Sequence, residues 1–239
     1  MNATVRIGIV GLGVVGGGVL KLLEQQSRLL QSRSGRRLEV VAVSARERTK
    51  KRAAGISSFK WYDNPLDLAA DPDIDVICEL IGGADGIALQ LSQAALKSGK
   101  HLVTANKALL AHHGNSLARM AEESAVNLGY EAAVAGGIPI VKALREGLTA
   151  NKFSGVYGIL NGTCNYILTE MRDGVDSTPP RDFDTVLKEA QALGYAEADP
   201  STDVDGTDAA HKLALLTSLV FGCPVDFGAI QIKGIRHIN

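Results

Sequence analysis

Apolar residues in the first part of the chain fall into short, dense blocks separated by polar or glycine-rich turns. VRIGIV (5–10), LEVVAV (38–43), DVICEL (75–80), HLVT (101–104) and the stretch 127–131 read as strands. A helix-compatible run through Val19, Leu20, Leu22 and Leu23 follows the first block, and another, from about 87 to 98, stops at Gly99. Repeated strand–helix–strand units predict an α/β fold with a doubly wound parallel sheet of the Rossmann type. Ligands bind such sheets beyond the carboxyl ends of the strands.

The pattern changes after residue 131. AAVAGGI (132–138) is a turn of small residues. Pro139 opens a helix running to about 149, because proline is favoured in a first helical turn. FSGVYGIL (153–160) reads as a strand, Asn161-Gly162-Thr163 as the turn into a helix that runs to 171, and DGVDSTPPRD (173–182) as a loop. Val186, Leu187, Ala190 and Leu193 give helical spacing over 184–193, with Gly194 at the C′ position where helices often end. From Thr207 the spacing of Ala209, Leu213, Leu216, Leu219 and Val220 is helical again. This divides the chain into a nucleotide-type domain over 1–131 and an α+β substrate domain over 132–239.

Composition narrows the functional classes. Over 239 residues a hydrophobic share of 46% suffices to bury one large core or two small ones. Lys plus Arg is 25 against 26 Asp plus Glu, a balance that predicts no nucleic-acid footprint and no polybasic membrane patch. No apolar run approaches the ~18–20 residues of a membrane helix, so no membrane partner is expected. Cys78, Cys164 and Cys223 are scattered and odd in number, which suits a reducing compartment better than a disulfide framework. MNATVRIGIVGLG reads as a strand entering a turn, not as a targeting peptide, and a cytoplasmic location is expected.

Two stretches carry candidate chemistry. Gly11-Leu12-Gly13-Val14-Val15-Gly16 follows a strand and opens a helix, the setting the dinucleotide fingerprint requires. Gly11 would permit the tight turn, Gly13 the approach of a pyrophosphate, and Gly16 close packing of helix on strand. At the end of the second strand, where NAD enzymes usually carry an acid, stands Arg46. Glu47 lies between Arg46 and Arg48, with Lys50, Lys51 and Arg52 behind. Cations there suit a 2′-phosphate, so NADP(H) is the preferred cofactor and NAD(H) the alternative. Lys107, three residues past a strand end, falls at the ligand edge of the sheet; by residue type alone it is equally a surface lysine.

The second stretch is YAEADPSTDVDGTDAAHK (195–212), in which Glu197, Asp199, Asp203, Asp205 and Asp208 precede Lys212. A calcium loop with Gly206 at its sixth position would put Lys212 at the twelfth, where a bidentate glutamate is needed; this reading is rejected. The acids could instead be solvated, Asp208–Lys212 being an ordinary helix pair worth ~0.3–0.5 kcal/mol and Thr207 or Asp205 a helix cap. The third reading is a substrate site. Carboxylates hold a cationic amine, while a lysine exchanges the proton of a hydroxyl undergoing oxidation. Beside a dinucleotide fingerprint, this points to an amino-alcohol dehydrogenase.

Taken together, GLGVVG (11–16), TANKALLA (104–111), AVAGGIPIV (133–141), ILNGTCNYIL (159–168) and LGYAEADPSTDVDGTDAAHKL (193–213) strongly resemble homoserine dehydrogenases, from about residue 5 to the end. The resemblance implies NAD(P)-linked interconversion of L-homoserine and L-aspartate 4-semialdehyde, on the route to threonine, methionine and isoleucine. It assigns proton donation to Lys212 and a place near nicotinamide and substrate to Lys107. Glu197 and Asp208 would bind substrate, Asp203 would support them, and Gly194 would meet the nucleotide. It implies a sodium site supplied mostly by backbone oxygens of Glu131, Val134, Gly136 and Ile138. It also implies a homodimer built through the second domain. The family's catalytic region continues past residue 239, so the second domain is expected to be incomplete. Two rival readings follow: a nucleotide-binding fragment or sensor without turnover, and a semialdehyde dehydrogenase using Cys164 as a thiol nucleophile. His112-His113 reads as a solvated helix feature, not a metal site.

Overall fold

The first apolar block becomes strand β1 (Thr4–Val10), the second of the two middle strands of a six-stranded sheet being β4 (Val76–Glu79). This is a computed structural model, and it describes residues 4–50, 55–178 and 180–238. Its contacts divide the chain into two units, Met1–Lys142 and Ala143–Asn239. In the first, β2 (Arg37–Ser44), β3 (Lys60–Trp61), β5 (His101–Thr104) and β6 (Leu128–Gly129) complete the sheet. The order is β3-β2-β1-β4-β5-β6 and every pairing is parallel. That is the doubly wound Rossmann order, whose direction reverses between β1 and β4.

Strands covered on both faces need apolar residues on both, which is why these blocks are nearly continuous rather than alternating. Ile7, Ile9 and Val43 pack with Leu12 and Leu20 on one face. Val10, Ala42, Ile77 and Leu102 pack on the other with Leu68, Leu91, Leu96, Leu109 and Leu117. The helices are α1 (Val14–Gln25), α2 (Ser27–Ser34), α3 (Leu66–Ala70), α4 (Ile87–Lys97) and α5 (Lys107–Glu123). Each fully buried leucine or isoleucine contributes ~1.5–3 kcal/mol. At the amino edge of the sheet, Arg6 binds Asp75 through its backbone amide and its guanidinium. Nearby, Asp71 accepts from Tyr62 (2.5 Å) and Lys60 (3.0 Å).

The sixth strand is shorter than the pattern over 127–131 predicts. Glu131 falls in a 3-10 turn, Glu131–Ala133, that leads to the short helix α6 (Ile140–Lys142). A π-helical turn, Ala143–Gly147, continues it.

In the second unit, α7 (Gly162–Asp173), α8 (Phe183–Ala192) and the single turn α9 (Ser201–Val204) share a core of Ile167, Met171, Val186, Ala190 and Val204. Arg181 joins this frame by bonding Glu170 and Glu189. Helix α10 (Thr207–Phe221) follows. Two expectations need correction. The strand read over 153–160 is not formed: 151–160 is irregular, with Val156, Tyr157 and Ile159 exposed. A strand needs a ladder partner, and none of the described residues of this unit forms one. Neither Thr207 nor Asp205 caps α10. Gly206 holds the cap position with no side-chain bond, and Asp205 pairs with Arg236 instead.

Candidate functional site

The fingerprint turn lies at the carboxyl end of β1. Gly11 has φ +98°, its amide bonds the Ser44 carbonyl (2.9 Å), and a Cβ there would stand 2.4 Å from the Leu80 carbonyl oxygen. At Gly16 a Cβ would stand 1.9 Å from the Gly11 carbonyl oxygen, so α1 can pack this closely only on glycine. Gly13, which caps α1, is different: a Cβ there would meet nothing within 4 Å. The first and third glycines are thus demanded by the protein's own packing. The second faces open space, as it must if a ligand is to approach the backbone.

That space is a cleft of about 470 Å³ at the switch point, lined by Gly11, Leu12, Gly13, Ser44, Arg46 and Ile81 among others. Val14, 96% exposed, and Val15 begin the helix beside it. The amides of the first turn of α1 have no intrahelical acceptor, and with the helix dipole they favour an anion. Arg46 is exposed on the cleft wall, with Glu47 and Lys50 also lining it. Arg48 lies over the Trp61 ring at 5.7 Å. Lys51 and Arg52 lie outside the described residues.

Two strands further along the same edge, Asn106 caps α5 by accepting from the Leu109 amide (3.1 Å), and Lys107 is the first residue of that helix. Glu79 is a residue the sequence did not single out. It ends β4, fully buried, and accepts from Thr104 (2.6 Å) and from the amides of Ile81 and Gly82.

The turn 131–138 bends on Ala135 (φ +50°) and Gly137 (φ +91°). The Glu131 carboxylate accepts from the amides of Val141 (3.0 Å) and Lys142 (2.9 Å), so it serves the start of α6. The carbonyl oxygens of Glu131 and Ile138 each accept one backbone amide. A carbonyl oxygen has a second lone pair, so hard oxygen donors suited to a monovalent cation remain at this turn. Among the described residues there is no group of three or more His, Cys, Asp or Glu able to hold a metal.

In the second unit, two acids of the stretch, Asp208 and Asp203, meet Lys212 and Asn161, while Asp199 bonds the Ser201 amide and Asp205 bonds Arg236. Lys212 Nζ donates to Asp208 Oδ2 (2.6 Å) and to the Leu160 carbonyl (2.8 Å). Asp208 is 7% and Lys212 18% exposed at the side chain. A solvated pair would be far more open, so the surface-pair reading does not describe it. Two of the three ammonium protons are used within the protein, leaving one for a ligand. Asn161 ties the group together: Nδ2 donates to Asp203 Oδ1 (2.7 Å) and Asp208 Oδ2 (2.9 Å), while Oδ1 accepts from the Cys164 amide and caps α7.

Gly194, with φ +77°, ends the turn after α8. Thr163 then holds the chain by donating to the Tyr195 carbonyl (2.8 Å). Glu197 is exposed and lies outside the hydrogen-bonded cluster; its backbone carbonyl accepts from Gln191. Burial, and then the charges of Asp203 and Asp208, push the Cys164 thiol up to about 11, and its Sγ donates to the Asp203 carbonyl (3.2 Å). A thiolate nucleophile needs the opposite environment.

Comparison with known proteins gives a consistent result. Residues 11–131 match the family model described as homoserine dehydrogenase, NAD binding domain, and residues 139–239 match that described as homoserine dehydrogenase. The homoserine dehydrogenase of Pseudomonas aeruginosa is 49% identical over 98% of this chain and 52% of its own length. That of Neisseria gonorrhoeae is 46% identical over 98% of this chain and 52% of its own. The chain therefore spans about half the length of the curated relatives it matches. Among solved structures, a homoserine dehydrogenase from Thiobacillus denitrificans superposes with a TM-score of 0.93 at 46% identity, covering 100% of this chain and 54% of that one. A hyperthermophilic archaeal homoserine dehydrogenase in complex with NADPH superposes at 0.82 and 25% identity, covering 99% and 75%.

Proposed function

The chain belongs to the homoserine dehydrogenase family, and on that premise we infer that it carries the sites for NAD(P)-linked interconversion of L-homoserine and L-aspartate 4-semialdehyde. This is a step towards threonine, methionine and isoleucine. The observation that carries the reading is the Lys212–Asp208–Asn161–Asp203 cluster, a low-exposure ammonium held between a carboxylate and a carbonyl with one donor to spare.

A bound nicotinamide supplies the hydride acceptor or donor. The protein's residues handle the rest. Lys212 gives a proton to the substrate oxygen as the aldehyde is reduced, and takes it back as the alcohol is oxidised. Asp208 orients that ammonium; with Glu197, and supported by Asp203, it holds the amino group of the substrate. Lys107 serves near the nicotinamide and the substrate. The turn 11–16 and Gly194 meet the nucleotide, and Arg46 favours the 2′-phosphate, making NADP(H) the preferred cofactor over NAD(H). The turn through Glu131, Val134, Gly136 and Ile138 would take sodium through its oxygens. A homodimer and a cytoplasmic setting complete the reading.

The test is the fate of a label. L-Homoserine with both hydrogens of its hydroxyl-bearing carbon replaced by deuterium should transfer one deuterium to the nicotinamide and leave a deuterated aldehyde that a carbonyl reagent traps. Turnover without label transfer would remove the reading. Because the chain spans about half of its relatives, a second reading stands beside it: a nucleotide-binding half without turnover, which would bind NADPH and transfer no label.

A further inference from the structure

We propose that Glu79 is a positioning residue, which through Thr104 and Asn106 fixes the two loops flanking the nicotinamide end of the cleft, 80–83 and 105–107. The proposal rests on the reading of that cleft as a dinucleotide site. A wholly buried carboxylate is costly unless donors meet its lone pairs. At Glu79, Oε1 accepts from the amides of Ile81 (2.8 Å) and Gly82 (3.3 Å), and Oε2 from the Thr104 hydroxyl (2.6 Å). All three donors are neutral, so this carboxylate is not half of an ion pair. Its bonds shape the chain instead.

The two amides belong to the loop leaving β4, which turns on Gly82 (φ +87°) and Gly83 (φ +84°). Leu80 and Ile81 of that loop line the cleft. Thr104 lies opposite Glu79 in the parallel ladder, and its Oγ1 in turn accepts from the Asn106 amide (2.9 Å). Asn106 Nδ2 donates to the Gly83 carbonyl (2.6 Å), and its Oδ1 caps α5. A closed ring of bonds thus runs from Glu79 through Thr104 and Asn106 to the loop at Gly83. It fixes the lip of the cleft and the backbone of Lys107 together.

In a sheet of this order the dinucleotide lies across the switch point. The fingerprint turn and the end of β2 take the pyrophosphate and the adenosine ribose, which leaves the β4–β5 side to the nicotinamide. The ring lies on that side.

Two ligands separate the halves of the site: NADPH, and 2′,5′-ADP, which lacks the nicotinamide. Glu79→Ala should weaken NADPH at least about tenfold and leave 2′,5′-ADP within about threefold. Glu79→Gln keeps an oxygen for the two amides and should restore NADPH to within about threefold of wild type. Thr104→Val keeps the side-chain shape but removes the hydroxyl. It should also weaken NADPH selectively, and it decides the matter if circular dichroism shows Glu79→Ala unfolded. Equal weakening of both ligands, or no change in either by a folded variant, overturns the proposal. Wild-type protein that binds neither ligand would overturn the cleft reading, and the proposal with it.

Discussion

Every polar atom of the Asn161 side chain is committed: two N–H bonds to Asp203 and Asp208, and one oxygen to the start of α7. Asn161→Ala should therefore cost ~2–4 kcal/mol, read from the denaturant midpoint: the cap is lost, Asp203 Oδ1 loses its donor, and Asp208 Oδ2 keeps only Lys212. Asn161→Asp separates the two roles. It keeps the cap but sets a third carboxylate against Asp203 and Asp208, so activity should fall at least about tenfold even where stability holds. Cys164 gives the opposite expectation. With its thiol raised to about 11, it stays protonated at neutral pH. Iodoacetamide should then react slowly, the rate still climbing above pH 9, and Cys164→Ala should keep its activity. The Asp208–Lys212 pair was legible because residues four apart share a helix face. Asn161 was legible only as part of a turn. Its partners lie 42 and 47 positions away, and no local pattern encodes such a bond.

At the scale of elements, the three fingerprint glycines answer to different demands, and one substitution at each separates them. Gly16→Ala would drive a methyl into the Gly11 carbonyl, so the melting temperature should fall sharply. Gly13→Ala meets open space in the protein. It should leave the melting temperature nearly unchanged and still weaken NADPH at least about tenfold, because the methyl occupies the phosphate's approach. A Gly13→Ala protein that binds NADPH normally would mean the cleft is used otherwise. The blocks 5–10, 38–43, 75–80 and 101–104 were legible as strands because strands buried on both faces carry an uninterrupted signal, whereas the stretch 127–131 yields only the two-residue β6. The two-residue β3 and five-residue α3 were not legible, being too short to show a period. The stretch 153–160 has strand composition but no ladder partner among the described residues of its unit, and composition cannot reveal a missing neighbour.

At the scale of the whole molecule, acid stability should follow the amino edge of the sheet. The hydroxyl of Tyr62, with help from the Asp73 amide and Lys60, holds the Asp71 carboxyl down at about 2 against an ordinary 3.8. A depressed carboxyl stabilises the fold above its unfolded value. That stability is lost as pH falls from about 4 towards 2. Tyr62→Phe removes the largest cause. The variant should be less stable at neutral pH and should lose less than wild type between pH 4 and 2 in melting experiments. The doubly wound architecture and the Asp208–Lys212 pair were legible because each rests on a repeated or closely spaced pattern. The Glu79 ring and the Asn161 bridge were not, because only the folded chain brings their members together.

The most direct test of the account is absorbance at the nicotinamide band for the purified chain with L-homoserine and NADP⁺, and again with NAD⁺, beside a Lys212→Ala variant shown by circular dichroism to be folded. The wild type should reduce the cofactor, NADP⁺ more readily than NAD⁺, and the variant should not. A folded wild type silent with both cofactors, or a variant as active as the wild type, would contradict it.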